Sequence, residues 1–196
     1  VGGPWRFDSA KLMRLNDPER FETLPPAVLW QAMGVPDPRV IVEIGAGTGM
    51  FASAFSALAP GATVYAVDAE PAMVEWMQSN RPEVRDGRIV PALAQATGVP
   101  LENDLADIVF MINLHHELVD PTATYLEAKR VLRPGGRILV ADWAPVETPK
   151  GPPLKVRVTA ETLSAHLTAA GFGDVSIHKG LAWHSLVTAT RPLVLA

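Results

Sequence analysis

From residue 39 onward, short apolar runs alternate with longer segments of helical spacing, and few folds accept that rhythm. The runs are Arg39–Ile44, Thr63–Val67, Gly87–Val90, Ala106–Ile112 and Arg137–Ala141. Several are almost unbroken Val, Ile, Phe and Met, which marks parallel strands covered on both faces. Glu70-Pro71 opens one intervening helix. Asp120-Pro121 opens another, with a carboxylate at the N-cap and proline at the first helical position. In that helix Tyr125, Ala128, Val131 and Leu132 form an apolar stripe, and Pro134-Gly135-Gly136 is expected to stop it. The repetition predicts an α/β fold, a Rossmann-like doubly wound sheet with helices on both faces.

The last part of the chain narrows this further. Thr159 caps a helix carrying Leu163, Leu167 and Ala170 on one face and ending at Gly171. Two strand-like runs follow, Asp174–His178 and Trp183–Thr190, joined only by Lys179-Gly180-Leu181-Ala182. So short a connection holds no crossover helix, so the two strands must pair antiparallel. Ahead of the first strand, Asp17-Pro18 and Leu24-Pro25-Pro26 punctuate two short helical pieces, the second reaching about Gly34. Trp5, Phe7, Phe21, Leu29, Trp30 and Met33 give this extension apolar surface that must pack on something, either as docked helices or as a lid over a ligand cleft. Pro145–Pro153, the one Pro-rich loop, follows the last parallel strand on the ligand side.

At 196 residues the chain suits a single core. Its net charge of −4 supplies no Lys/Arg-rich face, so nucleic acid is not expected as a partner. No apolar run approaches the length of a membrane span and no signal-peptide pattern is read at the start, so a cytoplasmic location is expected. Cysteine is absent, which removes disulfides, thiolate metal sites and cysteine nucleophiles together.

The stretch "VIVEIGAGTGMFA", residues 40–52, forms the first strand–helix turn, which faces the topological switch point where such sheets bind ligands. Gly45 and Gly47 can take backbone angles closed to other residues and leave room beside a ligand. Thr48 and the first N–H groups of the following helix can face a polar one. The spacing is not the dinucleotide pattern G-x-G-x-x-G, because the third glycine is Gly49 and position 50 is Met. Glu43 stands two residues before the first glycine, where an anion repels a pyrophosphate but suits an ammonium or sulfonium group. Asp68 ends the second strand, where a carboxylate can accept hydrogen bonds from both ribose hydroxyls. A cation plus a ribose without pyrophosphate describes S-adenosylmethionine better than a nicotinamide cofactor.

Four segments, "VIVEIGAGTGMF", "VYAVDAEPAMVEWM", "VPLENDLADIVFMINLHHEL" and "VLRPGGRILVADW", resemble in order the signature segments of class I S-adenosylmethionine-dependent methyltransferases. The group they are nearest to is the small stand-alone methyltransferase type 11, related to the ubiquinone/menaquinone C-methyltransferases. The resemblance runs from about residue 8 to 191. It implies seven strands in the order 3-2-1-4-5-7-6 with the last antiparallel, a cofactor-binding domain over residues 35–196 and a helical cap over 1–34 packed on it. It implies that Glu43, Gly45, Ala46, Gly47 and Gly49, with Thr48, surround the methionine part of the cofactor and that Asp68 holds the ribose. Ala69 and Met73 would pack near the adenine, and Asn113 and Leu114 would face the methyl group. The chain departs from the pattern after strand three, where many relatives carry an acid; Ala92-Leu93-Ala94-Gln95-Ala96 offers Ala94 and the side-chain oxygen of Gln95 instead. The product of this cofactor would be S-adenosylhomocysteine.

"NLHHELVD" follows the fourth strand, beside the expected methyl position. His116 is the candidate base, with His115 beside it and Glu117 to orient it, for an acceptor that must lose an oxygen-bound or acidic C–H proton. Asn113 with Asp142 falls short of the oxygen ligand set of a magnesium-dependent enzyme, so no metal is expected. His166 and His178 read as structural, whereas His184 lies in the last strand pair with its role open. The fourth strand lacks the Asn/Asp-Pro-Pro-aromatic ending of DNA amino-methyltransferases, and the missing cysteine excludes 5-methylcytosine chemistry. The expected acceptor is therefore a small molecule, with O- or C-methylation favoured. The alternative is a non-catalytic cofactor-binding module or partner subunit. A homodimer is the default oligomeric expectation.

Overall fold

The computed structural model describes residues 9–95 and 98–193; Trp5, Phe7 and Ala96 lie outside the described residues. Seven strands form one sheet: β1 (Val40–Ile44), β2 (Thr63–Asp68), β3 (Ile89–Leu93), β4 (Ala106–Ile112), β5 (Leu132–Trp143), β6 (Gly173–His178) and β7 (His184–Thr190). Their order is β3-β2-β1-β4-β5-β7-β6, as the resemblance implied. Only β7 runs against its neighbours, pairing Trp143 with His184 on one side and His178 with Leu186 on the other.

Both faces of the sheet are covered, and alternation along the strands shows which residue serves which face. Ile41, Ile108, Phe110, Leu139, Ala141 and Leu186 join one apolar cluster. That cluster also takes residues of α3 (Pro26–Met33), α4 (Met50–Leu58) and α5 (Pro71–Asn80), which pack on this face. Val42, Val109, Met111, Ile138, Val140 and Val187 turn to the other cluster, under α7 (Pro121–Val131) and α8 (Ala160–Ala169). The capping expectations hold. Asp120 Oδ1 accepts the Ala123 N–H at 3.2 Å and Thr159 Oγ1 accepts the Thr162 N–H at 3.1 Å.

The structure differs from the sequence reading at several boundaries. α7 stops at Val131, and Leu132 already pairs with Ala106 as the first residue of β5, so the Pro134-Gly135-Gly136 turn lies inside that strand. β3 begins at Ile89 because Gly87 sits in a turn at φ 73°, and β7 begins at His184. Among the described residues the extension has three helices rather than two: α1 (Ser9–Leu15) precedes α2 (Arg20–Thr23) and α3. A further short helix, Pro82–Arg85, follows α5.

The extension docks on the α4 side of the sheet. Phe21 meets Phe51 edge-on at 5.3 Å and Trp30 meets Phe55 at 5.8 Å. Arg20 lies over the Phe51 ring at 5.0 Å, and Arg81 reaches from the end of α5 to bond Asn16 Oδ1 at 2.7 Å. Lys150, in the Pro-rich loop, bonds Glu19 Oε2 at 2.8 Å. Among the described residues, no helix is long and apolar enough to cross a membrane.

Candidate active site

The glycine turn closes β1 onto α4. Gly45, Gly47 and Gly49 have φ of 78°, 56° and 68°, a region that L side chains rarely enter, which explains three glycines at alternate positions. The Gly45 and Ala46 N–H groups both donate to Val67 O, which ties the turn to β2. A Cβ on Gly45 would lie 2.7 Å from Leu114, and one on Gly47 would lie 3.4 Å from Leu15 of α1. The cradle is therefore bounded by the end of β4 and by the first helix of the extension.

Two acids face it. Glu43 is 2% exposed and accepts the Ala52 N–H at 3.0 Å. Burial pushes its carboxyl up to about 8, against the pull of the Arg20 guanidinium and the Ala52 bond. A carboxyl held this high is mostly protonated at neutral pH, and a cation beside it would favour its ionised form. Asp68 is half-buried; its Oδ2 accepts the Gly47 N–H at 2.6 Å and its Oδ1 the Glu70 N–H at 2.9 Å. Each oxygen keeps a second lone pair for a ligand.

The other residues expected to contact the cofactor sit at the ends of β2, β3 and β4 and on α4 and α5 or the turns before them. Thr48 Oγ1 and Asn113 Oδ1 are buried without a hydrogen-bond partner among the described residues. Such atoms are costly to leave unpaired, and both stand where the cofactor's polar groups are expected. Asn113 is held at φ 55° by its N–H bond to Ala141 O. Met73 is buried on α5, whereas Ala69 is exposed at the end of β2. The Ala94 N–H bonds Asp68 O at 2.8 Å, and Gln95 is exposed, bridged through its backbone to Gly98. The residues present thus fit S-adenosylmethionine: an acid for its ammonium, an acid for its ribose, a cradle without side chains and two orphaned polar atoms.

Beside the cleft, the "HHE" segment forms one 3₁₀ turn after β4. His115 turns inward and its Nδ1 bonds Tyr125 OH at 2.8 Å; burial lowers its pKa. His116 faces Asp142 instead, with Nδ1 2.8 Å from Oδ1, while Asp142 also accepts the His116 and Trp143 N–H groups. A carboxylate only accepts, so Nδ1 carries the proton and Nε2 keeps its lone pair in the neutral ring. Burial opposes charging His116, yet the bond and charge of Asp142 outweigh it and hold the pKa above the usual value. The acid hydrogen-bonded to His116 is thus Asp142, while Glu117 Oε1 lies 3.8 Å from Nε2 on a mostly exposed side chain. The pairing Ile112↔Ala141 brings Asp142 beside the end of β4, where His116 follows.

Strand order and cradle define a class I S-adenosylmethionine-dependent methyltransferase fold, and the comparisons with known proteins agree. Residues 42–140 match the model of the methyltransferase domain family, so the chain belongs to that family. It is 34% identical over 102 residues to the malonyl-[acyl-carrier protein] O-methyltransferase of Hahella chejuensis, a match covering 52% of this chain and only 36% of that protein. It is 29% identical over 192 residues to the demethylmenaquinone methyltransferase of Clavibacter sepedonicus, covering 78% of this chain and 77% of the relative. Among solved structures, a SAM-dependent methyltransferase from Aquifex aeolicus superposes with a TM-score of 0.85 at 25% identity, over 94% of this chain and 99% of that one.

Proposed function

We propose that this chain transfers the methyl group of S-adenosylmethionine to an oxygen or acidic carbon of a small-molecule acceptor, with His116 as the base. The observation that carries this reading is the His116–Asp142 pair beside Asn113 and the glycine cradle. When bound, S-adenosylmethionine supplies an electrophilic methyl group on a sulfonium centre. Glu43 holds the cationic end of the methionine part, and Asp68 receives the ribose hydroxyls. The glycine turn lets backbone approach the ligand without side chains, so the cleft mainly fixes position, which is the larger part of an in-line displacement. His116 Nε2 removes the acceptor's proton, and Asp142 fixes the tautomer and stabilises the imidazolium that forms. The relatives named for malonyl-[acyl-carrier protein] and demethylmenaquinone support acceptors that are not nucleic acid.

The extension acts as a lid in this reading. Leu15 stands over Gly47, and Arg20 and Lys150 tie α2 to the rim of the cleft. The test is an acceptor screen with radiolabelled methyl donor, comparing wild type with His116→Gln. Transfer to a small molecule that drops by about 10²–10⁴ in the variant supports the role of the base. Transfer unaffected by the substitution removes it, and no transfer to any acceptor despite tight cofactor binding favours a non-catalytic module.

A further inference from the structure

Tyr125 sits in the apolar stripe of α7 with Ala128 and Val131, all three fully buried against the sheet. Packing alone would accept any large apolar side chain there, whereas a buried hydroxyl needs a partner. The Tyr125 hydroxyl meets His115 Nδ1 at 2.8 Å, and the two rings lie nearly parallel, 17° apart, with centroids at 5.8 Å. His166 of α8 lies 5.3 Å from the same imidazole, so His115 is held between two helices. Burial alone does not produce such a bond: His184 is 5% exposed, yet neither of its ring nitrogens has a partner among the described residues. Burial also raises the Tyr125 pKa and lowers that of His115, so the bond joins two uncharged groups at neutral pH.

His115 opens the 3₁₀ turn that also carries His116. The turn's own backbone holds it lightly, through the Glu117 N–H to Leu114 O and the Leu118 N–H to His115 O. Val119 beyond it is exposed to solvent, so little packing steadies the turn before α7 begins at Pro121. Side chains anchor it instead, in three directions. Leu114 packs on the bare Gly45, where a Cβ would lie 2.7 Å away. His116 reaches β5 through Asp142, and His115 reaches α7 through Tyr125. The Tyr125 bond thus ties the turn to the helix layer. Removing it leaves His115 Nδ1 unpaired in a buried setting and frees the turn to shift.

We infer that Tyr125 is a positioning residue: its hydroxyl, acting through His115, fixes the turn so that His116 Nδ1 meets Asp142 and Nε2 stays free to take the acceptor's proton. The inference rests on the methyl-transfer reading with His116 as the base. No proton passes along this link; it is mechanical. In a neutral imidazole the proton sits on the nitrogen that finds an acceptor, and for His116 against Asp142 that is Nδ1. A ring released from Asp142 can carry its proton on Nε2, and that nitrogen then has no lone pair for the acceptor. His115 is committed to Tyr125, which makes it the strut and His116 the base.

The test is nitrogen NMR of isotopically labelled imidazoles in the whole chain saturated with S-adenosylhomocysteine, with the His116 signals identified by their loss in His116→Gln. Wild type should show the neutral His116 ring as the Nδ1–H tautomer. Tyr125→Phe, which removes only the hydroxyl, should turn this into a mixture with Nε2–H, and His115→Leu should do the same from the other end of the bond. His115→Gln, whose amide can still meet the hydroxyl, should keep Nδ1–H, a rescue that a merely structural role would not produce. With an acceptor from the screen, Tyr125→Phe should lower the rate roughly tenfold, the worth of one neutral hydrogen bond, while the KM for S-adenosylmethionine holds. An unchanged His116 tautomer in either Tyr125→Phe or His115→Leu overturns the inference, even if both variants melt lower, and leaves the role of His116 untouched. An unchanged rate in Tyr125→Phe overturns it too, as does loss of Nδ1–H in His115→Gln. If Tyr125→Phe does not fold, the two His115 variants decide. A wild-type His116 that is not Nδ1–H, or a wild type that does not bind S-adenosylhomocysteine, refutes the methyl-transfer reading itself, and this inference with it.

Discussion

Replacing Glu43 by Gln should make the protein more stable and worse at binding its cofactor, with a pH dependence that separates this from ordinary repacking. The amide retains an oxygen for the Ala52 N–H but carries no charge. Burial raises the Glu43 carboxyl from 4.5 to about 8. Between those values the folded chain binds a proton that the unfolded chain has released, so wild-type stability falls as pH rises through this window. At ~1.4 kcal/mol per pKa unit, the full cost of the ionised form is roughly 5 kcal/mol above pH 8. At ~2–4 °C per kcal/mol for a chain this size, Glu43→Gln should melt roughly 10–20 °C higher than wild type at pH 9. At pH 5, where the folded carboxyl is already neutral, the two should melt within a few degrees of each other. Calorimetric melting at the two pH values reads the first effect, and titration with S-adenosylhomocysteine reads the second. Affinity should drop about 10- to 100-fold, the range for losing one hydrogen bond to a charged group. A stability difference that does not change with pH would refute the buried-anion argument, and an unchanged affinity would refute the cation contact.

Three further substitutions probe the rest of the site. Asp142→Asn should lower the rate by about 10²–10⁴ and move the rising limb of the pH–rate profile to lower pH, since His116 loses the carboxylate that holds its pKa up; a profile that stays in place would separate Asp142 from the base. Asp68→Ala should weaken S-adenosylhomocysteine binding at least tenfold by calorimetry, with the fold intact by circular dichroism, and unchanged affinity would remove the ribose contact. Gly45→Ala combines a φ of 78° with a Cβ 2.7 Å from Leu114. It should cost about 1–3 kcal/mol in denaturant melts, and a neutral effect would mean that the turn relaxes.

Much of the fold was legible because it rests on local signals. The four-residue link from Lys179 to Ala182 forced an antiparallel pair, and apolar runs located all seven strands. Asp120 and Thr159 cap the helices they were expected to cap. What escaped was set by neighbours distant in sequence. Leu132 continues the α7 stripe and reads as helix, but β4 captures it through Ala106. α1 is only seven residues long, too short for an apolar repeat to show, so Asp8 and Ser9, though residues of the capping type, did not mark a helix start on their own.

The same division runs through the site. Glu43, the glycines and Asp68 belong to one strand–turn–helix unit and its neighbouring strand tip, so spacing alone brought them together. The pairing of His116 with Asp142 depends on the register of β4 against β5, which no local pattern records. Glu117, adjacent in sequence, was the expected partner of His116; its Oε1 comes within 3.8 Å of Nε2, but the hydrogen bond at Nδ1 goes to Asp142. The orphaned nitrogens of His184 could not be foreseen either, because they follow from what β5 and the extension bury around them.

In this reading the cradle between β1 and α4 holds S-adenosylmethionine. Calorimetric titration of the whole chain with S-adenosylmethionine, S-adenosylhomocysteine and NAD, side by side, tests it most directly. Micromolar binding of the first two and none of the third is the predicted result. Binding of NAD alone, or of none of the three, would contradict it.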